Sequence, residues 1–250
     1  MRIGGRVGVA ALDAASNRRV LYRAEERFPM CSTFKVLLAA AVLHRVEQKE
    51  EQLERVIRYS AADILPYAPI TKEHLNEGGM TVEALCDAII RYSDNTAANL
   101  LLDTLGGPAG LTSYARSVGD QVTRLDRKEE ELNTAIPGDE RDTTSPGAML
   151  SSLRVLLLGD ALTPASREKL EGWMIGNTTG AKLIRAGAPE GWRVGDKTGR
   201  GANGTTNDIA IVRPTNRAPI LLCIYTTGAT AESGEREEGI AELTQAILRR

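Results

Sequence analysis

Ser32-Thr33-Phe34-Lys35-Val36-Leu37-Leu38-Ala39-Ala40-Ala41-Val42-Leu43 opens on a hydroxyl and continues as an almost unbroken apolar run. A helix that is apolar on all sides lies inside a core, so the rest of the chain has to be wrapped around this one. Ser32 stands where the run begins, at a point where serine is a favoured N-cap and the helix dipole is positive. Lys35 follows three residues later, which on a helix places both side chains on one face. A hydroxyl beside an amine at the mouth of a buried helix suits a covalent nucleophile and its base. A lone Ser-x-x-Lys is expected roughly once by chance in a chain of this size, so its meaning depends on what accompanies it.

Two more short motifs follow in order. Ser93-Asp94-Asn95 falls between the helical patterns Val82 to Tyr92 and Thr96 to Leu105. It therefore reads as a short helix–helix connection, from which a hydroxyl can reach into a cleft. All three residues are also good helix caps, and for Asp94 capping is a sufficient reading. Lys197-Thr198-Gly199 follows Trp192-Arg193-Val194-Gly195-Asp196 and reads as the end of a strand. Lys197 supplies a positive charge and Thr198 a hydroxyl, both suited to a carboxylate ligand, while Gly199 and Gly201 let a ligand approach the backbone. Between these motifs, Arg127 to Asp142 is polar, carries Pro137 and Gly138, and shows no helix or strand period, so it reads as a compact surface loop. Arg127 and Asp142 bracket the loop and are able to pair. Glu129, Glu130 and Glu131 within it read on composition as a solvated acidic run.

Ser-x-x-Lys, Ser-Asp-Asn and Lys-Thr-Gly in this order resemble the signature of class A serine β-lactamases and penicillin-binding proteins. The resemblance to the class A enzymes covers almost the whole chain. It includes Arg91 through Leu102, Asp126-Arg127-Lys128-Glu129-Glu130-Glu131-Leu132-Asn133, Ala135-Ile136-Pro137-Gly138-Asp139, Arg141-Asp142-Thr143-Thr144 and Ile224-Tyr225-Thr226-Thr227-Gly228. It implies hydrolysis of β-lactam antibiotics, penicillins and cephalosporins, through a serine acyl-enzyme, and hence antibiotic resistance. Ser32 would be the nucleophile, with Lys35, or Glu129 through water, as the base. Ser93 would pass a proton to the leaving lactam nitrogen. Glu129 would activate a catalytic water held jointly with Asn133, and Asn99 would hold the glutamate in place. Asn95 would bond the substrate's acylamino group. The backbone N–H groups of Ser32 and Arg200 would form the oxyanion hole. Lys197, Thr198, Gly199 and Arg200 would line the carboxylate site, Tyr67 would wall the cleft, and Arg127 with Asp142 would close the loop. No metal or cofactor is implied. The expected partners are a small-molecule β-lactam and water, with the chain monomeric and periplasmic or secreted.

Two other readings share part of this pattern. A D-alanyl-D-alanine carboxypeptidase acting on peptidoglycan carries the three motifs but lacks the Glu129 to Asn133 arrangement. A β-lactam-binding sensor or inactive scaffold would acylate without turnover. Several departures from the family pattern bear on that alternative. Glu130 stands where the family usually has proline after a cis bond. A cis bond before any other residue costs about 2.5–4 kcal/mol, so the expectation divides between a cis bond and a trans bond that displaces Glu129. Lys128 replaces a usual tryptophan and sets a cation beside Glu129. Arg200 follows Lys-Thr-Gly where small residues are usual, and Asn207 lies where many relatives place an arginine, for which Arg200 would compensate. The sequence also enters a strand at Gly5, without the family's leading helix or a signal-peptide pattern.

The remaining features are those of an ordinary globular chain. It has 250 residues, 42% hydrophobic and 26% charged, with a formal net charge of −2. That charge gives no case for nucleic-acid binding, and no apolar stretch is long enough to span a membrane. Cys31, Cys86 and Cys223 are odd in number and read as small buried hydrophobes, and His44 and His74 are too few and too far apart for a zinc site. Strands are expected at Gly5–Asp13, Arg19–Arg23, Arg193–Lys197, Thr206–Val212 and Pro219–Tyr225, with helices between and a last helix from about Glu235 to Arg249. Ser145-Pro146 and Thr163-Pro164 each pair an N-cap with proline at the first helical position. The fold class expected is α+β, β-lactamase/transpeptidase-like. It is a five-stranded antiparallel sheet flanked by the terminal helix, with an inserted all-helical lobe. Residues 1–31 and 176–250 would form the sheet lobe, 32–175 the helical lobe, with the site at the seam.

Overall fold

The run that starts at Ser32 is helical and buried along its apolar length in the computed structural model of the chain, which describes residues 3–249. The outer limits of the expected lobes, residues 1, 2 and 250, lie outside the described residues. In chain order the elements are β1 (Arg6–Asp13), β2 (Arg19–Tyr22), β3 (Phe28–Pro29), α1 (Phe34–Glu47), β4 (Val56–Ile57), β5 (Met80–Thr81), α2 (Val82–Asp87), α3 (Asn95–Thr104) and α4 (Pro108–Ser117). There follow β6 (Thr143–Thr144), α5 (Pro146–Leu157), α6 (Pro164–Ile175), α7 (Ile184–Gly187), β7 (Arg193–Gly201), β8 (Thr205–Arg213), β9 (Ile220–Thr227) and α8 (Ser233–Leu248). Every residue of α1 from Phe34 to Leu43 is buried, Lys35 included.

Five strands form one antiparallel sheet, as the sequence implies, and their order is β2-β1-β9-β8-β7. Both of its faces are covered, which is why its strands read as near-continuous apolar runs rather than as a clean alternation. Successive residues point to opposite faces. Val9, Ala11, Ala210, Val212, Leu222 and Ile224 pack with Ile240, Ile247 and Leu248 of α8. Ala10, Leu12, Ile209, Ile211, Leu221 and Tyr225 face the larger core built around α1, α5 and α6.

Local chemistry sets most helix starts. Ser145 Oγ accepts the Ala148 N–H at the head of α5, and Thr163 Oγ1 does the same for Ser166 at α6, each with proline at the first turn. The expected helix Val82–Tyr92 is composite: α2 passes into a π-helical turn, Ala88–Tyr92, which Ser93 ends in the left-handed conformation (φ 61°). One strand end differs markedly from the sequence reading. The strand expected to stop at Lys197 runs on to Gly201, because Arg200 and Gly201 still pair with Thr206 and Thr205. The turn comes only afterwards, where Asn203 and Gly204 supply positive φ. The two-residue pairings β3 with β6 and β4 with β5 were not anticipated, being too short to carry a period. The three cysteines are free and buried, as the odd count suggests.

Leu38 has no exposed surface at the centre of α1. Leu38→Ala should lower unfolding free energy by about 2–5 kcal/mol, read as a fall in urea midpoint with little change in slope.

Candidate active site

Lys35 is the hub of the cluster that the three motifs make. Its Nζ lies 3.1 Å from Ser32 Oγ, 2.8 Å from the Ser93 carbonyl oxygen and 3.4 Å from Ser93 Oγ. It also lies 2.6 Å from Asn95 Oδ1 and 2.9 Å from Glu129 Oε1. An ammonium has three N–H groups, so these oxygens compete for its protons. Ser32 Oγ in turn lies 3.4 Å from Glu129 Oε1, to which it donates. Ser32 is not the N-cap that the sequence suggests. The chain enters α1 through a 3-10 turn, Cys31–Thr33, Thr33 takes the cap position, and neither start has a side-chain cap bond. That leaves Ser32 Oγ uncommitted to the backbone and turned to the amine.

The left-handed backbone of Ser93 presents both its carbonyl and its hydroxyl to the cluster. Lys197 Nζ donates to Ser93 Oγ at 3.0 Å, so this hydroxyl lies between two buried amines. Asp94 acts as the sequence reads it, accepting the Ala97 N–H at the start of α3. It does more as well, because its carboxylate takes the N–H groups of Ile70 and Thr71 and so ties the preceding loop to the site. Tyr67 sits on that loop half exposed, with its carbonyl accepting the Asn95 N–H at 3.1 Å. Asn95 makes a second contact that was not expected, since its Nδ2 donates to Glu130 Oε1 at 3.2 Å.

The Arg127 to Asp142 loop delivers Glu129. Arg127 Nε donates to Asp142 Oδ2 at 2.6 Å, while Asp142 Oδ1 takes the N–H groups of Asp126 and Arg127, closing the loop at its base. Asn99 on α3 binds Glu129 reciprocally, donating to its carbonyl at 2.9 Å and accepting its N–H at 3.0 Å. Asn133 Nδ2 donates to Glu129 Oε2 at 2.5 Å, and Asn133 Oδ1 is buried with no partner among the described residues. The Glu129–Glu130 bond is cis, and the Glu129 carboxylate is not displaced, being in contact with Lys35. Lys128 does not set its charge beside Glu129; its amine reaches outward to Asp103.

β7 forms the far wall. Burial and the neighbouring Lys35 pull the Lys197 amine down to about 7, against the opposing pull of Asp196, Asp208 and Glu129. Burial raises the carboxyls of Asp196 and Asp208, with Arg185 opposing at Asp196. Thr198 Oγ1 shares a hydrogen bond of 2.6 Å with Thr179 Oγ1, a neighbour that nothing in the local sequence of either residue announces. Gly199 and Gly201 serve a packing purpose that the sequence reading did not include. A Cβ on Gly199 would lie 2.7 Å from the Met30 carbonyl, and one on Gly201 would lie 2.6 Å from Cys31 Sγ. The two glycines therefore seat the turn that carries Ser32 against the strand. The Arg200 side chain points the other way, pairing with Glu237 of α8 at 2.7 Å and reaching the Thr179 carbonyl at 3.5 Å. Asn207 is fully buried opposite Gly199 and donates to the Pro29 and Met30 carbonyls.

A family model described as "Beta-lactamase enzyme family" matches residues 2–250. The chain is 51% identical over 246 residues to β-lactamase OXY-2 of Klebsiella oxytoca, covering 98% of this chain and 84% of that protein. It is 52% identical to the carbapenem-hydrolyzing β-lactamase KPC of Klebsiella oxytoca, with the same coverage. Among solved structures it is similar to the class A β-lactamase of the last common ancestor of Gram-negative bacteria (GNCA4). That similarity has a TM-score of 0.97 at 60% identity over 99% of this chain and 94% of that one.

Gly199→Ala should displace the turn bearing Ser32 and cost about 1–3 kcal/mol in urea unfolding. Gly172→Ala on α6, where a Cβ meets nothing within 4 Å, should be neutral or stabilise by up to about 1 kcal/mol.

Proposed function

The chain belongs to the β-lactamase enzyme family, as a class A serine β-lactamase, and from that premise we propose how its residues divide the work of hydrolysing β-lactam antibiotics. Glu129 carries this reading. One of its oxygens touches both Ser32 Oγ and Lys35 Nζ, while the other takes the Asn133 amide. A carboxylate so placed serves the step that separates a hydrolase from a protein that stays acylated.

Ser32 gives its proton to Lys35 after that amine has passed one of its own to Glu129, 2.9 Å away, or gives it to Glu129 through a water, and attacks the lactam carbonyl. The backbone N–H groups of Ser32 and Arg200 receive the oxyanion. As the C–N bond breaks, Ser93 passes its proton to the ring nitrogen and is reprotonated from Lys35 or Lys197, the amines on either side of it. For deacylation Glu129 takes a proton from a water that Asn133 Oδ1 helps to hold, the resulting hydroxide attacks the ester, and as the acyl–Oγ bond breaks Ser32 recovers a proton from Lys35, 3.1 Å away. Asn99 positions Glu129 by holding its backbone at both ends. Arg127 and Asp142 keep the loop closed.

Substrate is held at its two ends. Lys197 and Thr198 take the carboxylate, with Gly199 and Arg200 completing that wall. Asn95 bonds the acylamino carbonyl, and Tyr67 lines the entrance. One chain supplies every group, which supports a monomer as the working unit, and family membership supports a periplasmic or secreted location. No helix among the described residues is long and apolar enough to cross a membrane. In this reading the cleft separates a sheet lobe, residues 1–31 and 176–250, from a helical lobe, residues 32–175.

Ser32→Ala should abolish nitrocefin turnover. Glu129→Gln should retain an acylation burst while slowing the following phase by about 10²–10⁴-fold, as read by stopped-flow. The Lys197 amine, lowered to about 7, is charged below that pH and neutral above it. For a carboxylate-bearing β-lactam, kcat/KM should therefore fall as pH rises past that value. Lys197→Arg, whose guanidinium stays protonated, should move this alkaline limb upward in a pH–rate profile.

A further inference from the structure

Glu130 is part of the cluster, yet none of the steps above uses it. Its carboxylate lies 3.2 Å from Asn95 Nδ2, while the other end of that amide is committed to Lys35 at 2.6 Å. Its carbonyl accepts the Asn133 N–H at 3.0 Å, so its backbone is fixed by the same residue that steadies Glu129. The cations nearby are taken, Lys35 by Glu129 and Lys128 by Asp103. Among the described residues no ion pair neutralises Glu130, and its side chain is only half-buried. A negative charge therefore stands uncompensated beside the amide assigned to the substrate's acyl group.

We propose that Glu130 selects β-lactams by the charge of their acylamino side chain, favouring an ammonium on the acyl α-carbon and disfavouring a carboxylate there. This rests on the assignment of Asn95 to the acylamino carbonyl. The Asn95 amide has two N–H groups, one aimed at Glu130 and one left for the substrate. A carbonyl that accepts the second sits about 3 Å from Nδ2, and the acyl α-carbon is two bonds from that oxygen. By these steps a substituent on it falls about 4–9 Å from the Glu130 carboxylate, a range over which unit charges in a partly desolvated cleft interact above thermal energy.

The test uses two penicillins that differ only at the acyl α-carbon, one α-amino and one α-carboxy, with the unsubstituted phenylacetyl compound as reference. They are assayed at mildly acidic pH, where the amine is protonated, on the full chain and on Glu130→Gln and Glu130→Lys. The ratio of kcat/KM for the ammonium over the carboxylate substrate should fall about tenfold in Glu130→Gln and further in Glu130→Lys. The change should lie in KM, with the reference substrate little altered. An unchanged ratio in both variants overturns the proposal. So does a uniform loss on all three substrates, because Glu130 would then hold the loop without reading the ligand. Asn95→Ala separates this from the reading beneath it. If that variant slows acylated penicillins no more than the unacylated nucleus, the assignment of Asn95 fails, and this proposal fails with it. If it slows them selectively and the charge ratio still does not move in the Glu130 variants, the proposal about Glu130 alone falls.

Discussion

A lysine with no exposed surface has to be surrounded by oxygens, and much of this site follows from meeting that need for Lys35. Leaving its charge unpaired in the core would be prohibitive. The partners come from different parts of the chain: Ser32 from the turn that leads into α1, Ser93 and Asn95 from the connection into α3, and Glu129 from a loop far along the sequence. Each is positioned by something else. The left-handed turn at Ser93 presents its carbonyl, Asn99 fixes the Glu129 backbone, and Asp142 draws the ends of the loop together. The fold is in this sense the apparatus that brings acceptors to one amine.

A second buried amine, Lys197, lies across Ser93 from the first, and the two repel. The carboxyls of Asp196 and Asp208 temper that repulsion from inside the sheet. Their own burial raises them, and Arg185 and Asn177 hold Asp196. Networks of this kind depend on every member being satisfied. The Asp208 Oδ1 atom has no partner among the described residues, and it marks where this network is least complete.

What could be read in the sequence was local or carried by a distinctive motif. The apolar run after Ser32, the Ser145-Pro146 and Thr163-Pro164 helix starts and the capping by Asp94 each depend on neighbours a few residues away. Ser32, Lys35, Ser93, Glu129 and Lys197 were legible as a set because three motifs and a loop fixed their register. The rest was illegible for a common physical reason, namely that it depends on contacts between distant segments. The Thr179 to Thr198 bond, the Glu237 partner of Arg200 and the Glu130 contact with Asn95 leave no local trace. The packing of Gly199 and Gly201 against the turn that carries Ser32, and the bonds of Asn207 to the Pro29 and Met30 carbonyls, were out of reach for the same reason, their partners lying far away in sequence.

The strand order has a consequence for how the molecule is made. β1 lies between β2 and β9, so the middle of the sheet joins the first strand of the chain to the last. Asp13 pairs with Ile220 and Arg6 with Thr227, across an intervening segment of roughly two hundred residues whose closure entropy must be met before the pairing forms. β1 and β2 lie together near the start of the chain, yet one edge of β1 stays bare until β9 reaches it. An unpaired strand edge is a template for another chain. The interval before β9 docks is therefore when a folding molecule is most open to association with its neighbours, and its arrival ends it.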